Sequence, residues 1–137
     1  MSEIAIKRGL DLPEAALLEL YRAAGWQAYL KPGMLREAYS RSLYALGAFD
    51  GDRLVGAVRA VGDGCAVVLI QDLLVLPEYQ KRGIGRELLC RALADFAHVR
   101  QRLLLADDTP ALSRFYRDAG FVPVGELGCK AYWCVNR

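Results

Sequence analysis

Three consecutive signals between Ala66 and Ala97 constrain this chain more than anything else in it. Ala66-Val67-Val68-Leu69-Ile70-Gln71-Asp72-Leu73-Leu74-Val75 reads as a buried strand. A short basic turn follows, Pro77-Glu78-Tyr79-Gln80-Lys81-Arg82-Gly83-Ile84-Gly85. The next segment is an amphipathic helix, with Ile84, Leu88, Leu89, Ala92, Leu93, Phe96 and Ala97 on one face and Arg86, Glu87, Arg91 and Asp95 opposite. A strand, a tight turn and a helix leave unpaired amides at the helix start, where the helix dipole adds partial positive charge. Lys81, Arg82 and Arg86 add full charges, and the glycines let the backbone approach a ligand closely. This is a cradle for a pyrophosphate. A P-loop would end in Gly-Lys-Ser/Thr, whereas Gly85 is followed by Arg86-Glu87. A dinucleotide fingerprint would need a third glycine and a βαβ unit near a domain start, and neither is present.

The rest of the chain fits one domain over residues 1–137, long enough for a sizeable core. Ile4-Ala5-Ile6 suggests a first strand. Pro13 opens a helix whose apolar face carries Ala16, Leu17, Leu20, Tyr21 and Ala24, and Gly25 closes it. Trp26 to Gly33 is an aromatic-bearing connector, followed by a short helix from Met34 towards Ser40. Leu43 to Phe49 and Leu54 to Val61 are strands joined by Asp50-Gly51-Asp52-Arg53, a hairpin signal. After the central helix come a short buried strand at Leu103-Leu104-Leu105 and a helix capped by Thr109-Pro110, with Leu112, Phe115, Tyr116 and Ala119 inward and Gly120 at its end. Phe121 to Val124 and Lys130 to Val135 read as two final strands. The expected order is βααββ-βαβαββ, an α/β fold with a mixed central sheet of about seven strands and four helices.

A net charge of +2, spread along the chain, gives no case for a nucleic-acid partner. No apolar run has the length of a membrane span, and Met1-Ser2-Glu3 leads into a strand-like segment without a signal peptide. Cys65, Cys90, Cys129 and Cys134 lack metal-ligand spacing, so no metal is expected; they read as buried, reduced thiols of a cytoplasmic protein.

The frame Gln80-x-x-Gly83-x-Gly85 after Val75-x-Pro77 resembles the pyrophosphate loop of the GNAT superfamily of N-acetyltransferases. Phe115-Tyr116-Arg117-Asp118-Ala119-Gly120-Phe121 resembles its Tyr-x-x-x-Gly-Phe signature. The expected element order is also the GNAT order. Gly25-Trp26, Ser42-Leu43-Tyr44, Gln71-Asp72-Leu73-Leu74-Val75 and Asp107-Asp108-Thr109-Pro110 are similar to small stand-alone bacterial members.

The resemblance implies acetyl transfer from acetyl-coenzyme A, a co-substrate, directly to a primary amine. It also implies a bulge that splays the fourth strand from the fifth, with the pantetheine arm on the backbone of Leu73, Leu74 and Val75. The pyrophosphate would lie on Lys81, Arg82, Gly83, Ile84, Gly85 and Arg86. Tyr116 matches the family tyrosine beside the coenzyme sulfur, and an unperturbed phenol, with a pKa near ~10, can give a proton to a thiolate. Asp108 stands where many relatives carry Asn, and capping the following helix is an equal role for it.

Asp72 is a carboxylate in an apolar strand, so it either has a partner or faces a wet cleft. The two readings, general base and structural ion pair, stand level. Glu126 is a weaker base candidate, and His98 falls on the surface. Trp26 and Tyr29, with Tyr44, suit the apolar body and cationic head of a small amine, or pin helices to the sheet. Three functions remain open: acetylation of a small amine, acetylation of a protein or peptide, and non-catalytic sensing of an acyl-coenzyme A. A homodimer is compatible with each.

Overall fold

The computed structural model describes residues 3–135, which divide into two compact units, residues 3–105 and 106–135. The first unit holds a five-stranded sheet in the order β1-β2-β3-β4-β5: Ile4–Arg8, Tyr44–Asp50, Arg53–Gly62, Val67–Val75 and Gln101–Leu104. β1 to β4 pair antiparallel and β5 joins β4 in parallel, so the sheet is mixed. Between β1 and β2 lie α1 (Glu14–Ala23), a 3₁₀ turn at Gln27–Tyr29 and α2 (Met34–Ser40). α3 (Ile84–Asp95) links β4 to β5. No helix among the described residues is long and apolar enough to cross a membrane.

The helical faces follow the apolar spacing. α1 buries Leu17, Leu20 and Tyr21, α2 buries Leu35 and Tyr39, and α3 buries Ile84, Leu88, Leu89 and Ala92. Gly56 on β3 is the contact point for α3: a Cβ there would stand 3.3 Å from Leu88 Cδ1 and 3.4 Å from Ile84 Cγ2. Residues of one strand alternate between faces, so Val58 and Ala60 look towards α3, and Ala57 and Arg59 look the other way. Tyr21 of α1 bonds Asp72, the residue opposite Arg59, and so marks the other face.

The second unit carries α4 (Pro110–Asp118) and a 3₁₀ turn at Val124–Leu127. Thr109 caps α4 by accepting from Leu112 N–H, with Pro110 in the first turn. Gly120, at φ 99°, turns the chain so that Phe121 N–H reaches Tyr116 C=O at 2.9 Å and the two rings meet edge to face at 5.9 Å. The glycine of the Tyr-x-x-x-Gly-Phe run thus closes the helix and brings its phenylalanine back under its tyrosine.

The expected order holds through α4 and breaks after it: among the described residues the sheet has five strands, not about seven. Phe121 to Val124 contains Pro123, which has no N–H for a ladder, and the chain enters a 3₁₀ turn closed by Gly128 at φ 77°. Lys130 to Val135 alternates as a strand would, but no ladder bonds form there, and Tyr132 is 89% exposed. Alternation marks one strand and cannot supply a partner. The four cysteines are free and exposed rather than buried. Leu105 is exposed as well, because β5 ends one residue before it.

Candidate active site

The bulge expected in β4 is present. Arg59 lies opposite Asp72 and Ala60 opposite Ile70, so Gln71 is an extra residue with no partner on β3. Its effect is a change of phase. Ile70 and Asp72 are two apart and would share a face in a regular strand; their partners are adjacent on β3 and look to opposite faces. The bulge therefore carries Asp72 to the α1 face.

β4 pairs with β5 only over Val67–Ile70, and its edge is open beyond that point. Leu76 N–H bonds Val55 C=O on β3 at 2.8 Å. By alternation Leu74 also points its peptide groups towards β3, leaving those of Leu73 and Val75 on the open edge. Gln80 donates its side-chain amide to Val75 C=O at 3.1 Å, tying the following turn to that edge. The turn is shaped by Lys81 at φ 63° and Gly83 at φ 83°. Gly83 starts α3 without a capping side chain, and the first helical backbone bond runs from Glu87 N–H to Gly83 C=O. The amides of Ile84, Gly85 and Arg86 lack intrahelical partners, with the side chains of Lys81, Arg82 and Arg86 in the same exposed segment. Arg82 lies over the Tyr79 ring at 4.8 Å and donates to Glu78 C=O at 3.1 Å. An open strand edge running into a cationic, amide-rich helix start fits a pantetheine arm ending in a pyrophosphate.

At the bulge, Asp72 is 3% exposed and sits in a network of buried polar groups. Its Oδ2 accepts from Arg59 Nε at 2.9 Å and from Tyr21 hydroxyl at 2.8 Å; its Oδ1 accepts from Tyr29 hydroxyl at 2.8 Å. Tyr39 hydroxyl is 2.8 Å from that of Tyr21, and Arg59 Nη1 reaches Ser42 Oγ at 3.3 Å. Gln71 donates to the Tyr29 oxygen at 3.2 Å. Every buried side-chain polar atom among the described residues has a partner, as a buried ion pair requires. Burial first, then the neighbouring Tyr39 and Asp72, drives the Tyr21 hydroxyl pKa far above its ordinary value.

The structure thus brings Tyr29 and Asp72 together, with Trp26 against both Tyr21 and Tyr29 at ring separations of 5.6 Å and 6.0 Å. It does not bring Tyr44 to them. Tyr44 lies opposite Ala60 on the α3 face, 1% exposed, with its hydroxyl on Asp95 at 2.5 Å. In the second unit Tyr116 is half-buried, and burial raises its pKa. Glu126 is ion-paired with Arg117, Asp108 is exposed, and His98 is exposed with Nε2 3.0 Å from Gly64 C=O.

Sequence reasoning passed over Arg59, Tyr21, Tyr39 and Gln71. The signal for Arg59 was there: one cation in the apolar strand Leu54 to Val61 and one anion in the next strand, each in need of a partner.

Comparison with known proteins names the fold. The acetyltransferase (GNAT) domain family matches residues 12–135, and the chain belongs to that family, as an N-acetyltransferase. A ycf52-like N-acetyltransferase of Prochlorococcus marinus is 31% identical, over 94% of this chain and 72% of that protein. The GNAT-family acetyltransferase SP0256 of Streptococcus pneumoniae is 39% identical, with a TM-score of 0.89 over 98% of this chain and 99% of that one. Aminoglycoside N-acetyltransferase AAC(6')-Iy, solved with coenzyme A, shares the fold at 16% identity, with a TM-score of 0.63 over 100% of this chain and 94% of that one.

Proposed function

We propose that the chain acetylates a small primary amine by direct transfer, as one catalytic domain. The single family match running through both units supports the one-domain reading. The observation that carries the proposal is the order of features along β4: the Tyr29–Asp72 cluster, the open edge at Leu73 and Val75, then the turn from Lys81 to Arg86. Val75 lies three residue steps beyond Asp72 along the strand, roughly 10 Å.

In this reading Leu73 and Val75 pair with the pantetheine amides through their backbone, and Leu74 supports them from the β3 side. The amides from Gly83 to Arg86, with Lys81 and Arg82, neutralise the pyrophosphate. The bound thioester supplies the acetyl group. Tyr116 is assigned from its signature: a hydroxyl that burial keeps protonated holds a proton for a departing thiolate. Trp26 and Tyr29 take the acceptor. Asp72, enclosed and fully engaged, acts on the acceptor as a positioning residue through Tyr29. The apolar ring of Trp26 beside the half-buried Tyr29 favours a small amine over a lysine in a large protein.

The test is mass spectrometry of products after incubation with acetyl-coenzyme A and a panel of small amines and lysine peptides. Acetylated small amines and free thiol are expected, with Gly85→Asp abolishing coenzyme binding in a folded protein. Acetylation confined to peptides, or coenzyme binding without thiol release, would replace this proposal with a protein acetyltransferase or a sensor.

A further inference from the structure

We infer that the Tyr29 hydroxyl oxygen is the hydrogen-bond acceptor that seizes the substrate's amino group, with Asp72 and Gln71 fixing its polarity. This rests on the amine-acetylation reading above and names the contact that selects the amine.

A carboxylate ion-paired with a guanidinium accepts hydrogen bonds and donates none. The Tyr21 and Tyr29 hydroxyls, each 2.8 Å from Asp72, therefore both donate to it. With its own proton committed, Tyr21 receives the proton of Tyr39, which settles the direction of that 2.8 Å contact. Tyr29 is committed in the same way, but at a different place. Tyr21, Tyr39, Arg59 and Asp72 are buried, whereas Tyr29 is half-buried and Gln71 is exposed. Tyr29 is thus the end of the chain that meets the outside.

A phenol oxygen that donates one bond still accepts. Gln71 fills part of that capacity with its amide N–H at 3.2 Å, and this contact also fixes which end of the Gln71 amide faces the ring. What remains is acceptor capacity alone. Such an atom welcomes an N–H and rejects a carbonyl or carboxylate. Burial, the largest influence, raises the Tyr29 pKa; the Gln71 bond works against this and Asp72 with it, so the hydroxyl keeps its proton at neutral pH. Arg59 and Asp72 cancel in formal charge, so selection here comes from the direction of hydrogen bonds rather than from net charge. Trp26, with its ring 6.0 Å from that of Tyr29 and tilted by 34°, offers an apolar wall for the rest of the amine.

The test is direct binding, independent of turnover. Phenethylamine and butylamine, and the matching methyl ethers, are titrated calorimetrically into protein saturated with coenzyme A. Tyr29→Phe should weaken both amines roughly ten- to hundredfold, as loss of one charge-assisted bond does, and leave the ethers and coenzyme affinity unchanged. Gln71→Met, at an exposed position, removes the donor that competes for the Tyr29 oxygen and should leave amine affinity equal or several-fold higher, with the fold kept; a several-fold loss would count against the inference. Unchanged amine affinity in Tyr29→Phe, no amine binding to the native protein, or a parallel loss for amines and ethers would each overturn the inference. Thiol release is measured separately. Amines that bind through Tyr29 without ever being acetylated would reject the acetylation reading and uphold this one. Acetylation insensitive to Tyr29→Phe, with amine affinity unchanged, would reject this one alone.

Discussion

Val58 and Arg59 are neighbours on β3, both buried, and they enter two different kinds of interior. Val58 faces α3, where Gly56 lies against Ile84 and Leu88 in apolar contact. Arg59 faces α1, where an ion pair and three tyrosine hydroxyls fill the space. The α3 face gains stability from area removed from water, which is non-directional and tolerant. The α1 face instead rests on polar groups that must all be satisfied at once, and its network ends at the half-buried Tyr29. A polar interior of this kind is weak evidence for extra stability and stronger evidence for a fixed geometry.

The largest expected effect breaks this contrast at its centre. Arg59→Met strands the Asp72 carboxylate in the interior and should cost about 3–5 kcal/mol in urea denaturation. The double variant Arg59→Met/Asp72→Leu should recover most of that loss, because an apolar pair of similar volume removes the stranded charge. If the double variant is as damaged as the single one, the network stabilises the fold in its own right and the contrast between faces fails.

On the opposite face, Leu88→Ala should cost about 2–5 kcal/mol through lost burial and a residual cavity. Its cost should add to that of Asp72→Leu/Arg59→Met, since the two sites share no partner across the sheet. Strong non-additivity in the same denaturation series would mean that the faces are mechanically coupled.

The smallest effect is read in alkali. Burial, the leading cause, raises the pKa values of Tyr21 and Tyr39 on the α1 face and of Tyr44 on the α3 face. A raised folded-state pKa means that the native state keeps a proton the unfolded chain releases. The contribution is therefore complete below the unfolded value, near ~10, and falls as pH rises beyond it, by up to about 1.4 kcal/mol per pH unit for each tyrosine. Stability measured between pH 9 and 11 should fall less steeply in Tyr21→Phe than in the native protein. An unchanged slope would mean that Tyr21 titrates freely and that the network is open to water.

Much of the first unit could be read in advance because its signals are local. Apolar spacing placed α1 and α3, Asp50-Gly51 placed the β2–β3 turn, and Gly83-x-Gly85 marked the start of α3. The last two expected strands failed because a strand exists only through its neighbour, and Pro123 and the turn at Gly128 redirected the chain. The exposed cysteines failed for a related reason: composition reports what a residue tolerates, whereas its position on a helix or turn decides what it meets.

The sequence alone determined the chain's periodicities, its glycine-bearing basic turn and its isolated opposite charges, because these depend on residue type and spacing. Only the tertiary structure decided which charges meet. The single extra residue Gln71 reverses the phase of β4, carries Asp72 onto Arg59 and Tyr21, and turns Tyr29 into the outward end of the network. A bulge is a mismatch between two strands, so it has no existence until both strands are paired.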